Sequence, residues 1–305
     1  EFSICVAVKE SDANNAKISI DKEFEYEISQ RKINECQIEN SLSNIAIVGD
    51  KMKSKKGVSG KLFSTLGNNN INIRAIAQGA SERNISIIID EKDNTKALNS
   101  LHEAFFENNC KNLHLFITGV GNVGSNLIRQ ISDQKKSLEE SLGLKMKVMA
   151  LSNSKKMLLS DTEIDLTDWK SKLDSSNMKS DNDKFLDFSI KQNLRNSLFI
   201  DNTANSDITV NYNKYLKNGI GIVTCNKIAC SSELEKYLDL KSLSRTHNAP
   251  FLYETNVGAA LPIINTLNNL INSGDQITKI EAVLSGTLNY IFNTFNKENS
   301  FYEVV

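Results

Sequence analysis

Three glycines, Gly119, Gly121 and Gly124, stand in G-x-G-x-x-G spacing directly behind the short apolar run 113–117. Val123, Leu127 and Ile131 then recur at four-residue intervals, which is one face of a helix. A strand, a tight turn and a helix in that order can bind the pyrophosphate of a dinucleotide. Gly119 permits the turn, Gly121 lets a phosphate reach the backbone, and Gly124 lets the helix lie close to the strand. Asn122 and Val123 open the helix, whose free N–H groups and dipole favour an anion. A glycine-rich turn without a ligand is the plainer alternative.

A second group of residues follows the next strand, 145–151: Ser152, Asn153, Ser154, Lys155 and Lys156. The acidic residue expected about 20 positions after the glycines is not in its usual place. Hydroxyls and ammonium groups suit a 2′-phosphate, which a carboxylate would repel. This predicts NADP in preference to NAD, with NAD possible.

Lys227 follows the strand 220–224 and would lie near the nicotinamide end of such a cofactor. Its ammonium could polarise a carbonyl oxygen that takes a hydride, or give it a proton; a solvated surface lysine is the alternative. Thr203 ends the strand 198–200 in the same way. Glu254, before the turn 256–261, could hold a cation among backbone carbonyls, or cap a helix. Ser285, Gly286 and Thr287 could bind a small polar ligand, or form a cap. His102, His114 and His247 are far apart and lack metal spacing.

These residues need a scaffold. From residue 111 onward strands alternate with helices, which predicts an α/β doubly wound parallel sheet of Rossmann type, with Gly119, Ser152, Thr203 and Lys227 at its C-terminal edge. A polar stretch, 177–187, reads as a loop with a short helix. Ser232 with Glu235 reads as a capping box. The helix after Pro262 is expected to bury Ile264, Leu267 and Ile271, followed by a strand at 277–284 and a helix at 288–295. Ahead of this domain, strands at 43–49, 71–77 and 84–89 with helices after Gly57 and over 95–106 make most of a ferredoxin-like α+β unit. Residues 2–8 read as a strand and Ser11 or Asp12 as the cap of a helix to about residue 30, the remnant of a second such unit. The expected divisions are 1–35, 36–110, 111–255 and 256–305.

The chain has 305 residues, 36 basic and 37 acidic, for a net charge of −1, so no bulk field favours nucleic acid or an anionic membrane. No apolar run approaches the ~18 residues of a membrane span. Five scattered cysteines (Cys5, Cys36, Cys110, Cys225, Cys230) without CxxC spacing suit free thiols in a reducing cytoplasm. The chain starts at Glu1 and its last residues run on without a turn, and it is expected to be an internal piece of a longer polypeptide.

Six blocks (119–128, 151–155, 201–207, 221–229, 251–277 and 284–292) resemble homoserine dehydrogenase, the YETNVGA-LP and SGTLNYI runs most specifically. Residues 48–89 resemble the ACT regulatory region of the bifunctional aspartokinase–homoserine dehydrogenases. The resemblance implies reversible reduction of aspartate 4-semialdehyde to homoserine by NAD(P)H, in a homo-oligomer. It implies Lys227 as the active-site lysine, and Asn122, Val123 and Thr203 as cofactor contacts. Gly286 and Thr287 become a substrate turn. Glu254, Val257, Ala259 and Leu261 become the donors to a sodium ion. Asn72 and Gln78 become contacts of a feedback inhibitor, threonine. It also implies the start of a C-terminal α+β substrate and dimerisation domain, whose later acidic segment and second lysine would lie beyond Val305. On that reading the chain binds NADPH and turns over poorly. Two departures stand out: Cys225 replaces a proline beside Lys227, and Ala260 replaces a glycine. An ACT–Rossmann sensor without catalysis is the competing class.

Overall fold

The computed structural model describes residues 3–50, 52, 54–79, 83–106, 111–259, 261–283, 285–295 and 300–304. The chain divides into two compact units, residues 1–107 and 108–305.

In the first unit a 3₁₀ turn, Glu10–Asp12, leads into helices α1 (Ala13–Glu23) and α2 (Glu25–Ser29). Strand β1 (Leu42–Val48), helix α3 (Val58–Asn68), strands β2 (Ile73–Gln78) and β3 (Asn84–Asp90) and helix α4 (Asn94–Phe106) follow. The sheet runs β1-β3-β2 with both pairings antiparallel. Alternation explains its one-sidedness: Ile85, Ile87 and Ile89 of β3 are buried, and they share a core with Leu62 and Leu66 of α3 and Ala97 and Leu101 of α4. Gly57 starts α3 from a left-handed conformation, φ 86°. The strand expected at residues 2–8 is not formed: Ser3–Val8 has no regular structure, and Ile4 and Val6 stand in solvent. Its alternating pattern satisfies strand propensity, but no described strand pairs with it, and an unpaired strand has no ladder to hold it.

The second unit is the parallel sheet expected from the alternation. Its strands are β4 (Lys111–Thr118), β5 (Leu144–Ser152), β6 (Met157–Leu159), β7 (Ser197–Asp201), β8 (Gly221–Thr224) and β9 (Phe251–Leu252). Their spatial order is β6-β5-β4-β7-β8-β9. Counted within the unit this is 3-2-1-4-5-6, the dinucleotide-fold order, with the third strand, β6, running antiparallel at the edge. The order reverses between β4 and β7. The helices are α5 (Asn122–Leu142), α6 (Trp169–Ser175), α7 (Asn182–Lys191), α8 (Ser206–Thr209), α9 (Tyr212–Lys217), α10 (Ile228–Ser231) and α11 (Leu234–Thr246). Residues 114–118 of β4 are all buried, as a central strand with both faces covered must be. Leu115 and Ile117 face Ile128 and Ile131 of α5. Phe116 faces the other layer, where the rings of Phe199 and Tyr215 stack at 4.0 Å.

Several local expectations change. The polar stretch 177–187 contains the start of a ten-residue helix, α7, which Asp181 caps by accepting from the N–H groups of Asp183 and Lys184. The Ser232/Glu235 capping box does not form: the N-cap of α11 falls one residue later, at Glu233, whose side chain makes no cap. Helix α12 (Ile263–Asn272) has the apolar stripe expected of it, but buries none of it. Residues 277–283 are coil instead of a strand, with Ile280 and Val283 mostly exposed, and α13 (Gly286–Thr294) has no buried residue. Apolar spacing specifies a face; among the described residues of these faces only Ile264 of α12 packs against the core.

Candidate functional site: the C-terminal edge of the parallel sheet

Four strand ends lie level. Thr118 of β4 pairs with Ser152 of β5 on one side and Asp201 of β7 on the other, and Asp201 pairs with Thr224 of β8. The segments that follow these residues carry the glycine turn, the serine–lysine run, Thr203 and Lys227, so the expected convergence is present.

Each glycine answers a different requirement. Gly119 has φ 85°, and a Cβ there would lie 2.6 Å from Thr203 Cγ2 and 2.8 Å from the Asn202 backbone. A Cβ on Gly124 would lie 2.2 Å from the Gly119 carbonyl oxygen. Around Gly121 a Cβ would meet nothing within 4 Å. Two glycines thus let β4, β7 and α5 approach, and the third leaves open space in front of the helix. No side chain caps α5, and Asn122 and Val123 are exposed beside its first N–H groups. A 21-residue helix presenting uncapped N–H groups beside open space fits a dinucleotide pyrophosphate. The turn is pinned from below by Gly119 N–H donating to the Ser152 carbonyl at 2.8 Å. Asn202 packs against it, its Nδ2 buried and without a hydrogen-bond partner.

The serine–lysine run is only partly available to a ligand. Ser152 is buried, and its hydroxyl lies 3.1 Å from that of Ser180. Asn153 Oδ1 accepts from the N–H groups of Lys155 and Lys156, which shapes the turn. Lys156 donates to the Asp174 carbonyl. Ser154 and Lys155 are exposed.

A buried polar cluster holds the lysine turn, and sequence spacing gave no sign of it. Asp201 has no exposed surface. One carboxylate oxygen accepts from Thr203 N–H at 2.8 Å; the other accepts from the Tyr212 hydroxyl at 2.7 Å and Asn226 Nδ2 at 3.0 Å. Asn226 Nδ2 also donates to the Asn205 carbonyl at 3.0 Å, and its Oδ1 accepts from Ile228 N–H. Asn226 N–H donates to Thr224 Oγ1, and Asn256 Nδ2 to the Asn226 carbonyl. Burial beside Asp201 pushes the Tyr212 phenol far above its ordinary range, so it remains a donor. Lys227 leaves this cluster for solvent at the head of α10. Burial also pushes the Cys225 thiol up, and Cys230's to about 11, as expected of inert thiols. The hidden signal was the polar run 201–207: an Asp followed by Asn, Thr and Asn is rich in groups that bond to backbone.

Other expected residues are arranged differently. Glu254 caps α12: its two carboxylate oxygens accept from Ile264 and Asn265 N–H at 2.9 and 2.8 Å. The Leu261 carbonyl accepts from Ile263 N–H. Two of the four donors expected for sodium thus already accept backbone N–H groups, each oxygen keeping a second lone pair. Val257 is half-buried, Ala259 is exposed with φ 52°, and Ala260 lies outside the described residues. Among the described residues no cluster of His, Cys, Asp or Glu could hold a metal. Ser285 caps α13 through Leu288 N–H, leaving Gly286 and Thr287 exposed and unconnected to the sheet edge by any hydrogen bond among the described residues. In the first unit Asn72 precedes β2 and Gln78 ends it, six residues or about 20 Å apart along the strand, so one copy cannot close both around one small molecule.

This edge, with its order reversal and glycine turn, defines a Rossmann-type nicotinamide-dinucleotide domain preceded by an ACT-type α+β unit. Family models agree: an ACT domain matches residues 45–105, the NAD-binding domain of homoserine dehydrogenase matches 119–254, and homoserine dehydrogenase matches 262–305. A chloroplastic bifunctional aspartokinase/homoserine dehydrogenase 2 of Arabidopsis thaliana is 40% identical over all of this chain and 33% of its own length. The bifunctional aspartokinase/homoserine dehydrogenase of Haemophilus influenzae is 38% identical, again over the whole chain and 37% of its length. A hyperthermophilic archaeal homoserine dehydrogenase solved with NADPH shares the fold at a TM-score of 0.51 and 21% identity, covering 64% of this chain and 59% of that one. The chain belongs to the family of bifunctional aspartokinase/homoserine dehydrogenases. It spans about a third of the length of these curated relatives. No helix among the described residues is long and apolar enough to cross a membrane.

Proposed function

We propose that the chain supplies the cofactor-binding and lysine-bearing part of a homoserine dehydrogenase, which reduces aspartate 4-semialdehyde reversibly to homoserine. The observation that supports this best is the level row of strand ends carrying the glycine turn, Thr203 and Lys227 in a chain of this family. A bound nicotinamide supplies the hydride. The uncapped start of α5, with Gly121, Asn122 and Val123, would hold the pyrophosphate. Ser154 and Lys155 would hold a 2′-phosphate, which makes NADPH the preferred cofactor. Lys227 would direct its ammonium to the carbonyl oxygen of the semialdehyde, stabilising developing negative charge or giving it a proton. Gly286 and Thr287 would meet the substrate only if α13 is brought to the edge. Sodium is not part of this proposal.

The ACT unit would take a small amino-acid effector, threonine being the candidate, with Asn72 and Gln78 at separate ends of β2. We divide the chain at 1–35, 36–110, 111–255 and 256–305.

NADPH binding to this chain, followed by nucleotide fluorescence, tests the cofactor half: micromolar binding that is tighter than for NADH is expected. Equal affinities would remove the 2′-phosphate assignment, and no binding would remove the site. Homoserine-dependent NADPH formation by the full-length protein carrying this sequence tests the rest. Lys227→Ala should abolish it while leaving NADPH affinity nearly intact; unchanged turnover would favour a non-catalytic sensor.

A further inference from the structure

We propose that Asp201 is a positioning residue for this reaction: its buried carboxylate joins the cofactor side of the edge, through Thr203, to the lysine turn, through Asn226. The inference rests on the dehydrogenase reading above and extends it to a residue that contacts neither cofactor nor substrate.

The two carboxylate oxygens serve different neighbours. Oδ1 receives the Thr203 N–H, at the start of the loop expected to contact the cofactor. Oδ2 receives Asn226 Nδ2, one residue before Lys227, together with the Tyr212 hydroxyl. A fully buried ionised group is costly unless each of its lone pairs is directed at a donor, and here every donor lies on the turn segments or in the core directly beneath them. Asn226 has no alternative arrangement. Its Oδ1 is held by Ile228 N–H and its Nδ2 by Asp201 and the Asn205 carbonyl, so flipping the amide would set donor against donor on one side and acceptor against acceptor on the other. Lys227 is thereby fixed at its backbone while its side chain remains free in solvent. Cys225 gives the lysine turn no ring to fix its φ, so the side-chain bonds to Asn226 do what a rigid residue there would do.

The asymmetry of the carboxylate makes the idea testable. In Asp201→Asn the amide oxygen can keep the Thr203 N–H. The new NH2 group meets the Tyr212 hydroxyl, which can rotate and accept, and Asn226 Nδ2, which cannot. The lesion therefore falls on the lysine turn. In the full-length protein, Asp201→Asn is expected to lower kcat by about a hundredfold, the scale on which ångström misplacement acts. Kd for NADPH, measured by fluorescence, should rise less than about fivefold. Phe199→Leu, an apolar lesion in the same strand, should lower Tm yet leave kcat within about threefold, because it removes no hydrogen bond of the cluster, although its ring lies edge-on to that of Tyr212.

A parallel loss of kcat and NADPH affinity in Asp201→Asn, or an equal kcat loss in Phe199→Leu at matched Tm, would reduce Asp201 to a structural residue and overturn the inference. If Asp201→Asn does not fold, Asn226→Ala carries the test, since it leaves the carboxylate with Tyr212 and Thr203. The same split between kcat and Kd is expected there, and an unchanged kcat would overturn the inference. Turnover that survives Lys227→Ala would instead overturn the dehydrogenase reading, and this inference with it.

Discussion

Two turns meet at the same sheet edge and are built by opposite means. The turn after β4 is shaped by side chains that are missing: at Gly119 and Gly124 backbone approaches backbone so closely that one methyl group has no room. The turn after β8 is shaped by side chains that are present: Asp201, Thr224, Asn226 and Asn256 are all buried and bonded around it. The first tolerates no added atom at Gly119 or Gly124; the second tolerates no lost one. A phosphate needs bare N–H groups and space, which glycine leaves open. A lysine that must meet one carbonyl oxygen needs a fixed base, which a hydrogen-bonded cluster provides.

The largest effect expected follows from adding an atom to the first turn. Gly124→Ala places a Cβ 2.2 Å from the Gly119 carbonyl oxygen, a backbone atom that cannot move without displacing β4. Denaturant unfolding of the second unit should show a loss of about 3 kcal/mol or more, and NADPH binding should disappear. A stable, NADPH-binding Gly124→Ala protein would break the comparison at its base.

Gly121→Ala separates space kept for packing from space kept for a ligand. A Cβ there meets no protein atom within 4 Å, although the backbone, at φ −74° and ψ −146°, lies outside the regions alanine favours. Stability should fall by about 1 kcal/mol, the scale of a residue held in a sparsely populated backbone region. NADPH affinity should fall about tenfold or more, a cost of about 1.4 kcal/mol that appears only with the ligand present. Wild-type affinity in this variant would move the pyrophosphate elsewhere.

A smaller effect is expected at Glu254, where each carboxylate oxygen accepts one N–H at the start of α12. Glu254→Gln keeps the shape but removes the charge and one acceptor, and should cost about 1 kcal/mol, read as a lower Tm. If sodium raised the wild-type Tm and the variant lost that response, Glu254 would serve a cation as well as the helix.

The same contrast explains what could be read from the sequence. Gly119, Gly121 and Gly124 were legible because a steric demand leaves few residue choices and a fixed spacing. The strands were legible from apolar runs, and their alternation with helices placed Thr203 and Lys227 correctly at the edge. Asp201 and Asn226 were not, since the partners of a buried polar group come from distant parts of the chain: Tyr212 is 11 residues from Asp201 and Asn226 is 25. Glu254 was ambiguous for a related reason, because a carboxylate serves a cation or two N–H groups equally well until the helix is placed. Residues 3–8 and 277–283 show the reverse error. Their apolar alternation is real, but a strand requires a neighbour, and local pattern does not state whether one is there.

The smallest effect concerns the strand that carries the glycine turn. His114 is buried in β4, with Nδ1 2.8 Å from the Arg195 carbonyl, which fixes the proton on that nitrogen. Burial, with Lys147 nearby, holds its pKa below the ordinary value; the Arg195 carbonyl opposes this only in part. A base whose folded pKa lies below its unfolded pKa binds fewer protons when folded. Its contribution is therefore complete above about pH 6.5 and declines as pH falls through the lower folded value. Urea midpoints of the second unit measured between pH 7 and pH 5 should fall, and His114→Gln, which can keep a donor to the carbonyl, should flatten the part due to this residue. An unchanged slope would assign the acid sensitivity to carboxylates. The window just below pH 6.5 therefore reads the strand under the glycine turn.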